Sequence, residues 1–162
     1  MEYEKLFKAL WEAKIRYLIC GGLAVNIYGI PRMTADIDLL LDFESKNLEE
    51  FEKTLKEISY KASVPVPIRS LVDEKTRKNL KQEKNMIAYS FYSSIAGAMT
   101  IDVLIDTPLS FAEFWDKREV RKMNDYEVNL AGLEHLIELK KYSNRAQDKE
   151  DVILLSKLLG KQ

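Results

Sequence analysis

The sequence has little of what disulfide-bonded, zinc-binding or membrane proteins need. It contains one cysteine, Cys20, and one histidine, His135, which excludes a disulfide framework and a Cys/His zinc cluster. No apolar run approaches the ~20 residues that span a bilayer. The N-terminal segment MEYEKLFKALWEAK is too charged for a signal peptide. We therefore expect a cytoplasmic protein that has no membrane partner.

An excess of charge of either sign is also lacking. Lys and Arg together number 25, Asp and Glu number 26, and the formal net charge is −1. This balance gives no global electrostatic footprint for long duplex nucleic acid, although a local anion site is compatible with it. No internal repeat or flexible linker is visible. We expect a single domain over 1–162, with a core over about 1–107 and a hairpin and helical extension over about 108–162.

One stretch, residues 17–41, combines the features of a ligand site. A short apolar strand is followed by Gly21 and Gly22 and then by the helical stretch LAVNIY. Unpaired N–H groups at a helix start can face an anion, and glycine lets a phosphate approach the main chain closely. Asp36 and Asp38 open the next strand and leave the same face of it, because side chains alternate along a strand. Two acids before the run LLL favour a Mg²⁺ site, since Mg²⁺ takes oxygen ligands.

A third acid lies in the later strand MTIDVLID. Asp102 is inside this strand, whereas Asp106 is at its end. If the strand pairs beside the Asp36–Asp38 strand, Asp102 completes a cluster of three carboxylates. Asp102 is therefore the predicted third acid of the site.

The remaining patterns predict an α/β (α+β) fold in which helices flank a mixed β-sheet. Segment 62–84 is predicted as an exposed helix or a mobile loop, in preference to a nucleic-acid contact. The other predicted elements are a helix over 2–14, a crossover helix over 45–60 capped by Ser45 or Asn47, a strand pair over 86–92 and 99–106, a helix capped by Ser110, a hairpin turning at Asn124-Asp125, and helices over 132–144 and 148–159.

The ordered set of these residues resembles the nucleotidyltransferase superfamily that includes DNA polymerase β, in particular its minimal branch of AbiEii-type toxins. The set is Gly21-Gly22, then Arg32-x-Thr34-x-Asp36-x-Asp38, then Asp102. The resemblance implies that the glycines contact a nucleoside triphosphate. It also implies that the three acids are catalytic and hold two Mg²⁺ ions, for which Mn²⁺ is an alternative.

The same branch has a late helix with a lysine, an arginine and an aspartate in order. Lys140, Arg145 and Asp148 match this pattern, although Gln147 stands where relatives commonly have lysine. The departure leaves Lys140 as the better candidate for a phosphate contact. Arg32 and Thr34 are the other candidates for nucleotide binding.

The implied function is transfer of an NMP unit from an NTP to a hydroxyl acceptor, with release of pyrophosphate. The acceptor is an RNA end, a protein hydroxyl or a small molecule, and the protein is the toxin-like member of a pair with an antitoxin-like partner. The alternative is a catalytically silent module of the same fold that binds a nucleotide or a protein. A metal-dependent phosphatase is a more remote alternative.

Simpler roles compete with these functional ones. Arg32 suits an ion pair with Asp36 as well as it suits a phosphate, because guanidinium groups bind both. Thr34 is expected to hydrogen-bond within its loop, and Lys140 also suits an acid across the helix junction. Cys20 is expected to fill the core and His135 to lie on the surface, so Ser/His or thiol catalysis is not predicted.

Overall fold

The computed structural model describes residues 3–161. The described elements, in chain order, are α1 (Glu4–Glu12), β1 (Tyr17–Ile19), α2 (Gly21–Ile27), β2 (Asp36–Leu41), α3 (Ser45–Glu57), β3 (Tyr60–Ala62), a 3-10 helix (Ile68–Val72), α4 (Glu74–Lys84), β4 (Ala88–Ser93), β5 (Thr100–Leu104), α5 (Phe111–Asp116), β6 (Glu119–Met123), β7 (Tyr126–Leu130), α6 (Leu133–Ser143) and α7 (Ala146–Leu159). Within this range, none of the helices has the length and apolar character that a bilayer crossing requires. The predicted N-terminal helix begins at 2, and that residue lies outside the described part of the chain.

The seven strands form one mixed sheet in the order β3-β4-β5-β2-β1-β7-β6. Strand β2 is central, with β5 parallel on one side and β1 antiparallel on the other. The hairpin β6–β7, predicted as part of an extension, joins the same sheet because β7 pairs in parallel with β1. The predicted α/β class with a mixed sheet is confirmed, and the sheet is complete only when the later hairpin is in place.

The two faces of the central strands differ in chemistry. Ile37 and Leu39 of β2 and Val103 of β5 share one face and are at most 1% exposed. Helix α3 packs on this face, where the rings of Phe51 and Phe91 meet edge to face at 5.7 Å between centroids. Burial of each such side chain contributes about 1.5–3 kcal/mol, so this face anchors the sheet. Strand alternation then directs the acids of β2 to the opposite face.

The start of α3 differs from the sequence prediction. Glu44, rather than Ser45 or Asn47, caps the helix, since its side chain accepts a hydrogen bond from the Asn47 backbone N–H at 3.2 Å. The Asn47 side chain instead accepts from the Arg16 backbone N–H at 2.8 Å and so holds α3 against the preceding segment. The predicted cap of α5 is confirmed, because Ser110 and Glu113 form a reciprocal capping box.

Segment 62–84 contains more regular structure than its composition indicates. The 3-10 helix places Ile68 and Leu71 in the core with exposures of 1% and 0%. Asp73 then caps α4 by accepting from the Thr76 backbone N–H at 2.9 Å. The expected exposed helix is therefore present over residues 74–84, and the 3-10 helix before it is packed into the core.

Candidate active site

The three predicted acids lie together on one face of the sheet. In the parallel register of β2 and β5, Asp38 is opposite Asp102, and Asp36 is opposite Thr100. Neighbouring strands are ~4.8 Å apart, and directly opposed residues share a face. The sheet therefore brings Asp102 beside Asp38, although 64 positions separate them in the sequence.

The surroundings of the Asp38 carboxylate disfavour its ionised form. Burial raises its pKa from 3.8 to about 6, and the like charges of Asp36 and Asp102 add to that effect. Lys140 and Arg145 act in the opposite direction but do not cancel the shift. Asp38 is thus a buried carboxylate beside two like charges, and a cation bound there would stabilise its ionised form.

The glycine pair is required by close packing at the start of α2. Gly21 has a φ of +61°, and a Cβ added to it would lie 1.8 Å from Oδ2 of Asp38. A Cβ on Gly22 would lie 2.8 Å from Oγ1 of Thr34. Both positions therefore exclude any side chain, so that the loop can pack against Asp38 and Thr34. Contact with a triphosphate stays a prediction.

Thr34 and Arg32 have partners inside the protein. The Thr34 hydroxyl lies 3.1 Å from the Asp36 carbonyl oxygen and 3.3 Å from its Oδ1, which agrees with the expected loop-bonding role. The Arg32 guanidinium forms an ion pair with Asp151. The suggested ion pair between Arg32 and Asp36 is therefore wrong, because a carboxylate 119 positions away occupies the guanidinium.

Arg32 belongs to a charge cluster that also contains Lys140, Asp148, Asp151 and Arg145, and all of these side chains except Arg145 are largely buried. The Lys140 ammonium is 3.0 Å from Asp148 Oδ1 and 2.8 Å from Asp151 Oδ2. Lys140, Asp148 and Asp151 are each at most 4% exposed. The ion pair predicted for Lys140 across the helix junction is therefore present.

Asp148 is strongly held in its ionised form. Burial opposes its ionisation, but hydrogen bonds from Ser143, Arg145 and Lys140 outweigh burial and lower its pKa well below the usual range. Asp148 therefore links the end of α6 to the start of α7. These two helices close over the face of the sheet that carries the acids.

A cavity of about 630 Å³ lies between the acids of β2 and the charge cluster of Arg32, Lys140 and Asp148. Its walls are Gly22, Arg32, Met33, Thr34, Ala35, Asp36, Asp38, Lys140, Arg145, Ala146, Gln147 and Asp148. Gly21 and Asp102 are not in the wall. Each lies next to Asp38, which does line the cavity. Six of the eight predicted site residues therefore line the cavity.

Arg145 is a cation that the prediction of nucleotide-binding residues left out. Its Nε pairs with Asp148 at 2.9 Å, yet its side chain remains 69% exposed. Arg32 and Lys140 are only 16% and 4% exposed. In the sequence, Arg145 could have been found from its position in the late lysine–arginine–aspartate pattern. Only the structure shows that the charge of Arg145 remains accessible.

The donor set fits a hard divalent cation. Within residues 3–161, no three Asp, Glu, His or Cys side chains form a ready-made metal cage. Mg²⁺ does not require one, because it commonly binds through one or two carboxylates and completes its shell with water and substrate phosphates. Asp36 and Asp38, with Asp102 alongside, are oxygen donors with uncompensated charge, which is the chemistry that such an ion needs.

The structure also tests the positions predicted for Cys20 and His135. Cys20 is fully buried and its pKa is raised well above the usual value, first by burial and then by the charge of Asp38, so the core role is confirmed. His135 is half-buried and not fully exposed as expected. Its ring packs edge to face on Phe114 with 5.3 Å between centroids, because α6 turns this side chain toward α5.

Several solved structures share this fold at low sequence identity. ANT(2″)-Ia in complex with adenylyl-2″-tobramycin is 13% identical, with a TM-score of 0.59 over 96% of this chain and 86% of that chain. A putative nucleotidyltransferase from Thermotoga maritima is 15% identical, with a TM-score of 0.54 over 99% and 94%. An antigenic nucleotidyltransferase-like protein from Paracoccidioides brasiliensis is 17% identical, with a TM-score of 0.52 over 93% and 71%. The fold is that of the nucleotidyltransferases.

A comparison with protein-family models identifies the family to which this chain belongs within that fold. The family model described as nucleotidyl transferase AbiEii toxin, type IV TA system, matches residues 6–134. The chain therefore belongs to the AbiEii nucleotidyltransferase family, and the resemblance seen in the sequence is confirmed. No curated protein matches the sequence.

Proposed function

We propose that this protein is a metal-dependent nucleotidyltransferase that moves an NMP unit from an NTP to a hydroxyl acceptor. The observation that carries this proposal is the parallel register that sets Asp102 beside Asp38, on the face that also meets the glycine pair. This arrangement offers acids for a cation and exposed positive charge for phosphates at the same cavity.

Asp36, Asp38 and Asp102 would hold the divalent cations, Mg²⁺ or Mn²⁺. When bound, such ions neutralise phosphate charge and lower the pKa of a hydroxyl nucleophile. Asp102 stands at the side of Asp38 away from the glycine loop, and its proposed task is to accept the proton of the acceptor hydroxyl.

The covalent change needs no protein intermediate. The acceptor oxygen bonds to the α-phosphorus while the bond from that phosphorus to the bridging oxygen of the β-phosphate breaks, and pyrophosphate leaves. Arg145 and the backbone N–H groups of Gly21 and Gly22 would neutralise the triphosphate. Arg32 and Lys140 also line the cavity, but Asp151 pairs with both and Asp148 pairs with Lys140, so these carboxylates offset most of their charge.

Arg145→Ala is expected to weaken NTP binding about tenfold or more, since hydrogen bonds to charged groups contribute about 1.5–3 kcal/mol. Equilibrium binding of a fluorescent NTP analogue in Mg²⁺ measures the loss. Arg69→Ala removes an exposed arginine outside the cavity and should bind as tightly as the parent. Equal affinities for the two variants would refute the role of Arg145.

Gly21→Ala is expected to lower transfer about 100-fold, because the new methyl group collides with the Asp38 carboxylate. Gly29→Ala is the matched control, since Gly29 also has a positive φ, of +93°, but has no atom within 4 Å of its added Cβ. Both variants carry the strain of a positive φ, about 1–2 kcal/mol. Gly21→Ala adds the collision with Asp38, so its melting temperature should fall further, and transfer is compared at a temperature where both variants are folded. Only Gly21→Ala should lose transfer of labelled NMP.

The overall activity is tested by incubating the protein with Mg²⁺ and each α-labelled NTP. Cellular RNA, cellular protein and small hydroxyl compounds are offered separately as acceptors. Label retained in one pool supports transfer and identifies the acceptor class. Binding without incorporation would instead support the silent module, and release of inorganic phosphate would support a phosphatase.

The type IV toxin–antitoxin description of the family suggests the biological setting. We propose that this chain is the toxin of such a pair and has an antitoxin-like protein partner. Growth arrest on induced expression is the supporting outcome, and unimpaired growth at equal protein levels is the opposing one.

A further inference from the structure

We infer that Ser90 is a positioning residue that holds the Asp102 carboxylate in place beside Asp38. The inference rests on the proposed function, because it assigns a role within the same acid cluster. Ser90 lies outside the motifs that the sequence analysis singled out, and it does not line the cavity.

The sheet register brings the two side chains together. Strands β4 and β5 are antiparallel, and Ser90 is directly opposite Asp102. The Ser90 hydroxyl donates a hydrogen bond to Oδ1 of Asp102. Among the described residues, this is the hydrogen bond that the Asp102 side chain makes.

Such a bond is needed because Asp102 stands next to like charge. Repulsion from Asp38 favours rotation of the Asp102 side chain away from the cluster. A hydrogen bond to an ionised carboxylate is roughly twice as strong as a neutral one, and it fixes one oxygen while leaving the other free for a cation. Ser90 therefore opposes this rotation without consuming the whole carboxylate.

The other acid beside Asp38 is held in the same way. The Thr34 hydroxyl contacts Asp36 Oδ1 at 3.3 Å, so a hydroxyl restrains each of the two flanking acids. Ser90 is itself fixed from the edge of the sheet, since the backbone N–H and the hydroxyl of Ser63 both donate to its carbonyl oxygen at 2.9 Å.

The test compares Ser90→Ala, Ser90→Thr and Ser94→Ala. Ser94 is exposed in the loop after β4 and serves as the control. Ser90→Ala is expected to raise the Mg²⁺ concentration for half-maximal thermal stabilisation about tenfold and to lower kcat about tenfold, with KM for the NTP unchanged. Ser90→Thr keeps the hydroxyl and should recover most of both losses. Without Mg²⁺, all three variants should melt close to the parent.

The outcomes separate this inference from the proposed function. A parent protein that responds to Mg²⁺ together with a Ser90→Ala variant that responds identically would overturn the role of Ser90 alone. A parent that shows no Mg²⁺ response would overturn the metal-dependent function and the Ser90 inference with it. Failure of Ser90→Thr to recover the response, despite normal melting, would also contradict positioning by the hydroxyl.

Discussion

Asp38→Asn should lose at least 1000-fold in NMP transfer while the metal-free protein becomes more stable. Activity falls because the substitution removes the central carboxylate of the cluster and with it much of the charge that attracts a cation. Stability rises because an amide replaces a carboxylate that burial, Asp36 and Asp102 all disfavour in its ionised form. Opposite effects on activity and stability are typical of a site that binds a charged ligand.

The gain in stability should depend on pH. The folded-state pKa of Asp38 is about 6 and its ordinary value is 3.8, so the folded state holds this proton more tightly. Its contribution to stability is therefore complete below pH 3.8 and is lost as the pH rises through about 6. At about 1.4 kcal/mol per pKa unit, Asp38→Asn should gain about 2–3 kcal/mol at pH 8 and little at pH 4.

Urea unfolding at both pH values, together with transfer of labelled NMP in Mg²⁺, measures these effects. Asp116→Asn changes an exposed carboxylate at the end of α5 and should alter neither quantity. Mg²⁺ should raise the melting temperature of the parent and of Asp116→Asn but not that of Asp38→Asn. An Asp38→Asn variant that transfers NMP as fast as the parent would refute the proposed mechanism.

Lys140→Met should cost about 3–5 kcal/mol of folding free energy, which is the usual result of removing one partner from a buried ion pair. The substitution leaves Asp148 and Asp151 buried without the ammonium that lies 3.0 and 2.8 Å from them. Lys141→Met is the matched control, because the adjacent lysine is 58% exposed and its ion pair is with Glu138 in the same helix. Its cost should stay below about 0.5 kcal/mol.

The same pair of variants separates two roles of Lys140. Chemical unfolding reports the structural role, and NTP affinity at a temperature where both variants are folded reports the predicted phosphate contact. If Lys140 acts only through Asp148 and Asp151, stability falls far more than affinity. A large loss of affinity with normal stability would instead favour direct contact with phosphate.

The acids and the glycines could be predicted because their signals are local. Asp36 and Asp38 share a face by strand alternation alone, and Gly21-Gly22 precedes an obvious helix. The pairing of Asp102 with them required one further assumption, that two apolar strands lie side by side. The β2–β5 register agrees with it.

The remaining parts of the site depend on contacts between distant segments. Arg32 and Asp151 are 119 positions apart, and no periodicity in the sequence links them. Ser90 carried no signal either, since serine is common in loops and nothing in AYSFYS marks the residue opposite it. The different accessibilities of Arg145 and Lys140 follow from how α6 meets α7, which composition does not reveal.

The pairing of Arg32 with Asp151 also bears on protein synthesis. During translation the acids of β2 emerge early, but the carboxylate that restrains the loop before them emerges more than one hundred residues later. Prematurely terminated chains therefore lack this restraint, and they also lack the strand that flanks β1 if they end before Tyr126. The loop before β2 can therefore take its restrained form only after the segment that carries Asp151 has been made.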